Sequence, residues 1–418
     1  MKILIVNTSD IQGGAARAAY RLHRALLAKG EDSQMLVQSK ASDDYKVIGP
    51  ENKIQKAIGK IRPTLDLIPV RLYKDRTKTL FSPSLLPFSS VLKRINEINP
   101  DVVHLHWIAG GMMRTEDLAK IKAPIVWSLH DMWAFTGGCH YDEDCGAYQK
   151  ECGVCPVLGS NKYQDLSRKI LRRKHTTYEK TPNLNIIGVS QWLVDCAKKS
   201  SLFAERPIYR LPNPIDTDVF APFNKQEARS LLNLPQDKKL VLFGAIGATS
   251  DPRKGFKELS QALKNVPESH QLVVFGSSEP YTPQGLKQKV HYLGYLHDDV
   301  SLRVLYSAAD VMVVPSLQEA FGQTATESMA CGTPVVAFGA TGLLDILDHQ
   351  LNGYLAKPFE THDLANGINW VLNHPKPEQL AQSAREKIVS VFDSKIVAKK
   401  YILLYRDIIH KANTLIAK

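Results

Sequence analysis

Short apolar runs recur along the chain, separated by longer stretches whose apolar positions repeat every three or four residues. The runs fall at residues 2–8 (KILIVNT), Met35–Gln38, Val102–Trp107, Ile125–Leu129 and Ile186–Val189, then at Leu240–Phe243, Gln271–Phe275, Val290–Leu293, Val311–Val314 and Val335–Phe338. Continuous apolar strands alternating with amphipathic helices predict parallel sheets covered on both faces. The series breaks at Leu211-Pro212-Asn213-Pro214-Ile215-Asp216, a stiff turn with two prolines, and restarts after it. The expected fold is therefore α/β, with two doubly wound Rossmann-like domains, 1–212 and 213–393, facing across a cleft. A last helical stretch, 394–418, carries Ile396, Tyr401, Leu404, Ile408 and Ile409 at helical spacing and is expected to pack back onto the first domain.

The most informative segment is residues 311–336, VMVVPSLQEAFGQTATESMACGTPVV. Its pattern predicts a strand, a loop carrying Glu319, Phe321 and Gly322, a helix over Gln323–Ala330 stopped by Gly332 and Pro334, and a second strand from Val335. Ligands of parallel sheets bind beyond the carboxyl ends of strands, where helices begin. Free N–H groups and the helix dipole make such a start an anion site. Gly322 would let a phosphate approach the backbone, and Glu327, in the second turn, could accept hydrogen bonds from sugar hydroxyls. The pattern suits a sugar joined to phosphate; a crossover helix with two solvated glutamates would produce it too. Gly13 and Gly14 form a similar turn after the first strand. The third glycine of a dinucleotide fingerprint is missing, so a nicotinamide cofactor is weakly supported. His104, His106, Trp107, His130, Asp131 and Ser190 stand at strand ends, at the expected ligand edge of the first sheet.

Composition changes this picture little: 44% hydrophobic and 23% charged residues are ordinary for a globular chain. The net charge of +11 implies attraction to anions. The excess concentrates at 53–78, where Lys53, Lys56, Lys60, Arg62, Arg71, Lys74, Arg76 and Lys78 face only Asp66 and Asp75, with Leu65, Leu67, Ile68, Val70, Leu72 and Tyr73 between them. That mixture suits an anionic membrane surface, or simply a solvated loop and helix. No nucleic-acid-binding motif accompanies it. No apolar run approaches the roughly 18 residues of a bilayer span, and the start MKILIVNTSD reads as a strand rather than a signal peptide. The expected location is cytoplasmic, at the inner face of the membrane if 53–78 touches lipid.

Taken together, EAFGQTATESMACGTPVV, the Gly13-Gly14 turn, DVVHLHW, His130-Asp131, LPNPID and Pro252-Arg253-Lys254-Gly255 resemble glycosyltransferase family 4, of the bacterial surface-polysaccharide type. The resemblance covers nearly the whole chain in the family's order. It implies the two-domain fold called GT-B, with 1–212 on the acceptor side and 213–393 binding a nucleotide-sugar. It implies a retaining, hexosyltransferase-type reaction using protein cations instead of a metal, with a saccharide or lipid-linked acceptor. Glu319, His130 and Lys254 would be the catalytic set. Glu327 would hold the ribose, the N–H groups around Phe321, Gly322, Gln323 and Thr324 the sugar and diphosphate, and Tyr295 would lie near the base. Gly13 and Gly14 would give the phosphate and acceptor room. The family usually places an arginine about six residues before the lysine; this chain has Ala248, which leaves Arg253 as a substitute or pointing away. A nucleotide-sugar epimerase, a glycosyl phosphorylase, or a non-catalytic sugar-nucleotide-binding protein are the alternatives.

One feature lies outside that resemblance. Cys139, Cys145, Cys152 and Cys155 crowd into GGCHYDEDCGAYQKECGVCP. In a reducing compartment this favours a structural zinc site over disulfides, with reduced or redox-labile thiols as the other readings.

Overall fold

The computed structural model describes every residue except 88, 246, 278–285 and 417–418. Two parallel sheets dominate it. In the first, β1 (Lys2–Ser9), β2 (Asp32–Ser39), β3 (Val47–Ile48), β4 (Val102–Leu105), β5 (Ile125–Leu129), β6 (Leu184–Gly188) and β7 (Ile208–Arg210) lie in the order β3-β2-β1-β4-β5-β6-β7. In the second, β8 (Leu240–Gly244), β9 (Gln271–Phe275), β10 (Val290–Tyr292), β11 (Val311–Val314), β12 (Val335–Phe338) and β13 (Gly353–Ala356) lie in the order β10-β9-β8-β11-β12-β13. Every pairing between these strands is parallel. The order reverses direction next to β1 and next to β8. Each reversal is the switch point where helices on opposite faces leave a ligand crevice at the strand ends.

The chain divides into two compact units, Met1–Pro212 with Ala398–Lys418, and Asn213–Val397. The central strands are buried on both faces, as their unbroken apolar runs require: β4, β5, β8, β11 and β12 have no exposed residue. The second unit's core gathers Val241, Phe243, Val313, Val336 and Phe338 under helices carrying Leu259, Leu364 and Ile368.

Three strands escaped the apolar-run reading. β3 and β7 are two and three residues long, and β13 begins with a glycine; all three are edge strands. A short edge pairs on one side only and needs little apolar sequence. His104 also differs from expectation. It is fully buried inside β4, where its Nε2 bonds Ser128 Oγ at 2.8 Å and its Nδ1 meets Tyr405 Oη at 2.7 Å. Tyr405 belongs to the helix Ser394–Ile416, so His104 anchors that helix to the first sheet rather than facing a ligand.

Candidate active site

In the second unit, β11 ends at Val314 and the loop 315–322 leads into the helix Gln323–Ala330. Gly322 caps that helix at φ 103°, with no side chain capping the first turn. A Cβ there would stand 2.8 Å from Leu343 Cδ2, so a larger residue is excluded both by conformation and by space. The first N–H groups of the helix have no intrahelical acceptor. Phe321 points the other way: it is buried, edge-on to Phe392 at 5.6 Å between ring centroids. Only its backbone is placed to serve a ligand at the helix start. Gln323 and Thr324 are partly exposed in the first turn.

Lys254 reaches this loop from the end of the turn Pro252–Lys254 that follows β8. Its Nζ lies 2.7 Å from Glu319 Oε2, and both side chains remain partly open to solvent. Ser316 Oγ lies 3.4 Å from the same oxygen. The Glu319 N–H donates to Thr341 Oγ1 at 3.1 Å, which fixes the loop against the segment after β12. A second tie is the Leu317 N–H donating to the Arg253 carbonyl at 2.8 Å.

Gly255 makes the approach of these two loops possible. It sits at φ 72°, and a Cβ built on it would lie 1.8 Å from the Pro315 carbonyl oxygen. Gly255→Ala should therefore separate Lys254 from Glu319, at a stability cost of about 1–3 kcal/mol for the strained backbone. Thermal unfolding measures that cost; an unchanged midpoint would show that the loops are not wedged at this glycine.

Glu327 lies one turn deeper and is buried, 3% exposed. Its Oε2 accepts a hydrogen bond from Tyr306 Oη at 2.8 Å. Tyr306 is itself fully buried in the helix Asp299–Ala308. Nothing in the sequence linked it to Glu327, since the two lie on separate helices and meet only in space. Asp251, only two positions before Arg253, caps the same turn. Its carboxylate grips Arg253 through Nη2 at 2.7 Å and Nε at 3.2 Å. Arg253 is thus engaged by a neighbouring acid, while Ala248 is a packed core residue. Tyr295 is 43% exposed and stacks on His297, with ring centroids 6.3 Å apart.

In the first unit, Gly13 caps the helix Gly14–Ala28 at φ 99°. A Cβ at Gly13 or Gly14 would have no neighbour within 4 Å, so open space fronts this turn. His130 follows β5, and its Nε2 lies 2.8 Å from His106 Nδ1. Burial pulls His130 down to about 4, against the opposing pull of Asp131. Burial also lowers His106. Both rings are neutral at physiological pH, so His130 can exchange hydrogen bonds with a hydroxyl but brings no positive charge. Asp131 is held by Trp107 Nε1 at 2.9 Å and His140 Nδ1 at 2.6 Å, which sets the loop on which His130 stands.

The four clustered cysteines line one small cavity with Thr136, Asp142 and Tyr148. Cys139, Cys152 and Cys155 are buried and Cys145 is exposed, all as free thiols. Burial pushes Cys152 up to about 12 and Cys155 up to about 11. Backbone hydrogen bonding opposes this rise, from Ala147 at Cys145, Gly137 at Cys152, and Val157 and Leu158 at Cys155. Among the described residues, no three His, Cys, Asp or Glu side chains form a group ready to hold a metal ion.

Comparison with known proteins agrees with this architecture. Residues 12–219 match the model of Glycosyltransferase Family 4, and residues 224–387 match that of Glycosyl transferases group 1. An uncharacterized glycosyltransferase of Methanocaldococcus jannaschii is 28% identical over 334 residues, 73% of this chain and 82% of that one. The D-inositol 3-phosphate glycosyltransferase of Mycobacterium tuberculosis is 33% identical over 284 residues, 65% of this chain but only 54% of that relative. Among solved structures, sucrose-phosphate synthase of Thermosynechococcus elongatus superposes with a TM-score of 0.68 at 21% identity, covering 98% of this chain and 100% of that one. HepE of Anabaena, in complex with UDP and glucose, gives 0.64 at 19% identity over 97% and 99% of the two chains. At these identities the two structures establish the shared fold.

Proposed function

The chain belongs to glycosyltransferase family 4, and on that premise we propose that it moves a sugar, with retention of configuration, from a nucleotide-sugar to a saccharide or lipid-linked acceptor in surface-glycan assembly. The observation that carries this reading is the Lys254–Glu319 pair at 2.7 Å, standing at a helix start capped by Gly322. A departing nucleoside diphosphate develops negative charge as the glycosidic bond breaks. Lys254 and the positive end of the helix dipole at the Gly322 start are preorganised to receive that charge, usually the largest single contribution to catalysis. Glu319 would face the positive charge growing at the anomeric carbon. Glu327, oriented by Tyr306, would take the ribose hydroxyls. With Arg253 gripped by Asp251, Lys254 carries most of the cationic work.

Retention would follow from front-face attack, in which the acceptor oxygen bonds the anomeric carbon on the side the diphosphate leaves. The acceptor proton passes to a phosphate oxygen. Neutral His130 and the open glycine turn at Gly13-Gly14 would serve the acceptor side. Because the Anabaena relative was solved with UDP and glucose, UDP-hexoses are the first donors to screen. A true donor raises apparent thermal stability. Product that depends on a saccharide acceptor, with the anomeric configuration of the donor, supports transfer; turnover requiring inorganic phosphate instead would replace this reading with a phosphorylase.

For the cysteine cluster the proposal is structural zinc. Its support is four thiols around one cavity, with backbone hydrogen bonding at three of the sulfurs pulling toward thiolate against the larger push of burial. Zinc would have to displace the thiol protons and draw the sulfurs inward. Elemental analysis of reduced, folded protein should find one zinc per chain; a metal-free folded sample rejects the proposal.

A further inference from the structure

The helix Lys53–Asp66 is oriented against the usual rule. An amphipathic helix of a globular protein turns its apolar stripe to the core. Here Ile54, Ile58, Ile61 and Leu65, spaced to share one face, all point to solvent, and Ile68 and Leu72 extend the row through the short helix Ile68–Arg71. The six side chains are 43–78% exposed. The helix docks on the protein through small and polar positions instead. A Cβ at Gly59 would stand 3.0 Å from the Gln38 carbonyl oxygen, and Gln38 Nε2 donates to the Gly59 carbonyl at 3.2 Å. Arg62 donates to the carbonyls of Gly111 and Leu86 at 2.5 and 3.2 Å. Asp66, the one buried residue of the helix, accepts the N–H groups of Ser84 and Leu85 at 3.1 and 3.0 Å.

We propose that this outward apolar row is a docking surface for an anionic lipid bilayer, with the row inserted at the level of the headgroups. Charge decides the occupant. Lys53, Lys56, Lys60, Arg71, Lys74, Arg76 and Lys78 are exposed around the row, while Asp66 is buried and Asp75 is the segment's one exposed acid. Protein interfaces are depleted in lysine. Interfacial helices pair apolar side chains with lysine and arginine, which gain from anionic headgroups. The row also stands on a convex helix surface, which inserts into a fluid headgroup layer without a shaped partner. No helix among the described residues is long and apolar enough to cross a membrane, so contact would be peripheral.

This deepens the reading of a lipid-linked acceptor, but its test needs no sugar transfer, so the two can fail separately. The full chain is sedimented with vesicles of phosphatidylcholine alone or mixed with phosphatidylglycerol. The expected result is binding to the mixed vesicles only, weakened by salt. The double variant I58E/L65E should bind about tenfold less with unchanged unfolding temperature and unchanged affinity for the nucleotide-sugar. Equal binding by the variant, or no binding to mixed vesicles at low salt, overturns the proposal. So does a dimer, seen by light scattering, that the variant converts to monomer, since a second copy would then be the occupant.

Discussion

Glu327→Ala is expected to lower donor affinity and turnover by about a hundredfold or more. Two hydrogen bonds from ribose hydroxyls to a carboxylate contribute about 1.5–3 kcal/mol each, and about 1.4 kcal/mol corresponds to a factor of ten. The variant also removes the carboxylate to which the buried Tyr306 hydroxyl donates at 2.8 Å. Part of the effect would therefore appear as lost stability. Glu327→Gln separates the two contributions. It keeps the volume and one acceptor for Tyr306, so its unfolding temperature should stay close to that of the parent. Its donor affinity by calorimetry should still fall, because an uncharged amide is a weaker partner for the ribose. Near-normal transfer by Glu327→Ala would remove the donor site from this helix altogether.

Lys254→Ala should weaken nucleoside-diphosphate binding by a comparable factor. The variant loses a cation and leaves Glu319 facing the diphosphate uncompensated, since Lys254 is its partner at 2.7 Å. Truncating one member of a charge pair costs about 2–5 kcal/mol, much of it from the group left behind. The pairing therefore predicts a second, opposite effect. Adding Glu319→Ala to Lys254→Ala should restore part of the lost diphosphate affinity, although not catalysis. A double-mutant cycle on UDP affinity measures this coupling. Purely additive losses would mean that the pair does not persist in the occupied site.

Much of the fold could be read from the sequence because its determinants are local. Parallel strands buried on both faces need unbroken apolar runs, so β5, β9, β11 and β12 begin and end where the runs do. The helix Gln323–Ala330 was bounded correctly by the Gly322 start and the Gly332-Thr333-Pro334 stop, because backbone conformation at glycine and proline is set within a few residues. Edge strands such as β3 and β7 carry no such signal. They are held on one side only, β3 by β2 and β7 by β6, so backbone pairing places them without an apolar run of their own.

The site divides along the same line. Local sequence is enough to put a helix start with Glu319, Gly322 and Glu327 after one strand and Lys254 after another, and to make 53–78 both basic and apolar. Which of these groups meet depends on packing. It set Lys254 on Glu319 through the glycine wedge at Pro315 and turned Tyr306 onto Glu327. It also turned the apolar row of Lys53–Asp66 outward, where periodicity alone would have buried it. Side-chain pairing and the facing of a helix depend on what packs behind them, and that information is spread over segments tens of residues apart.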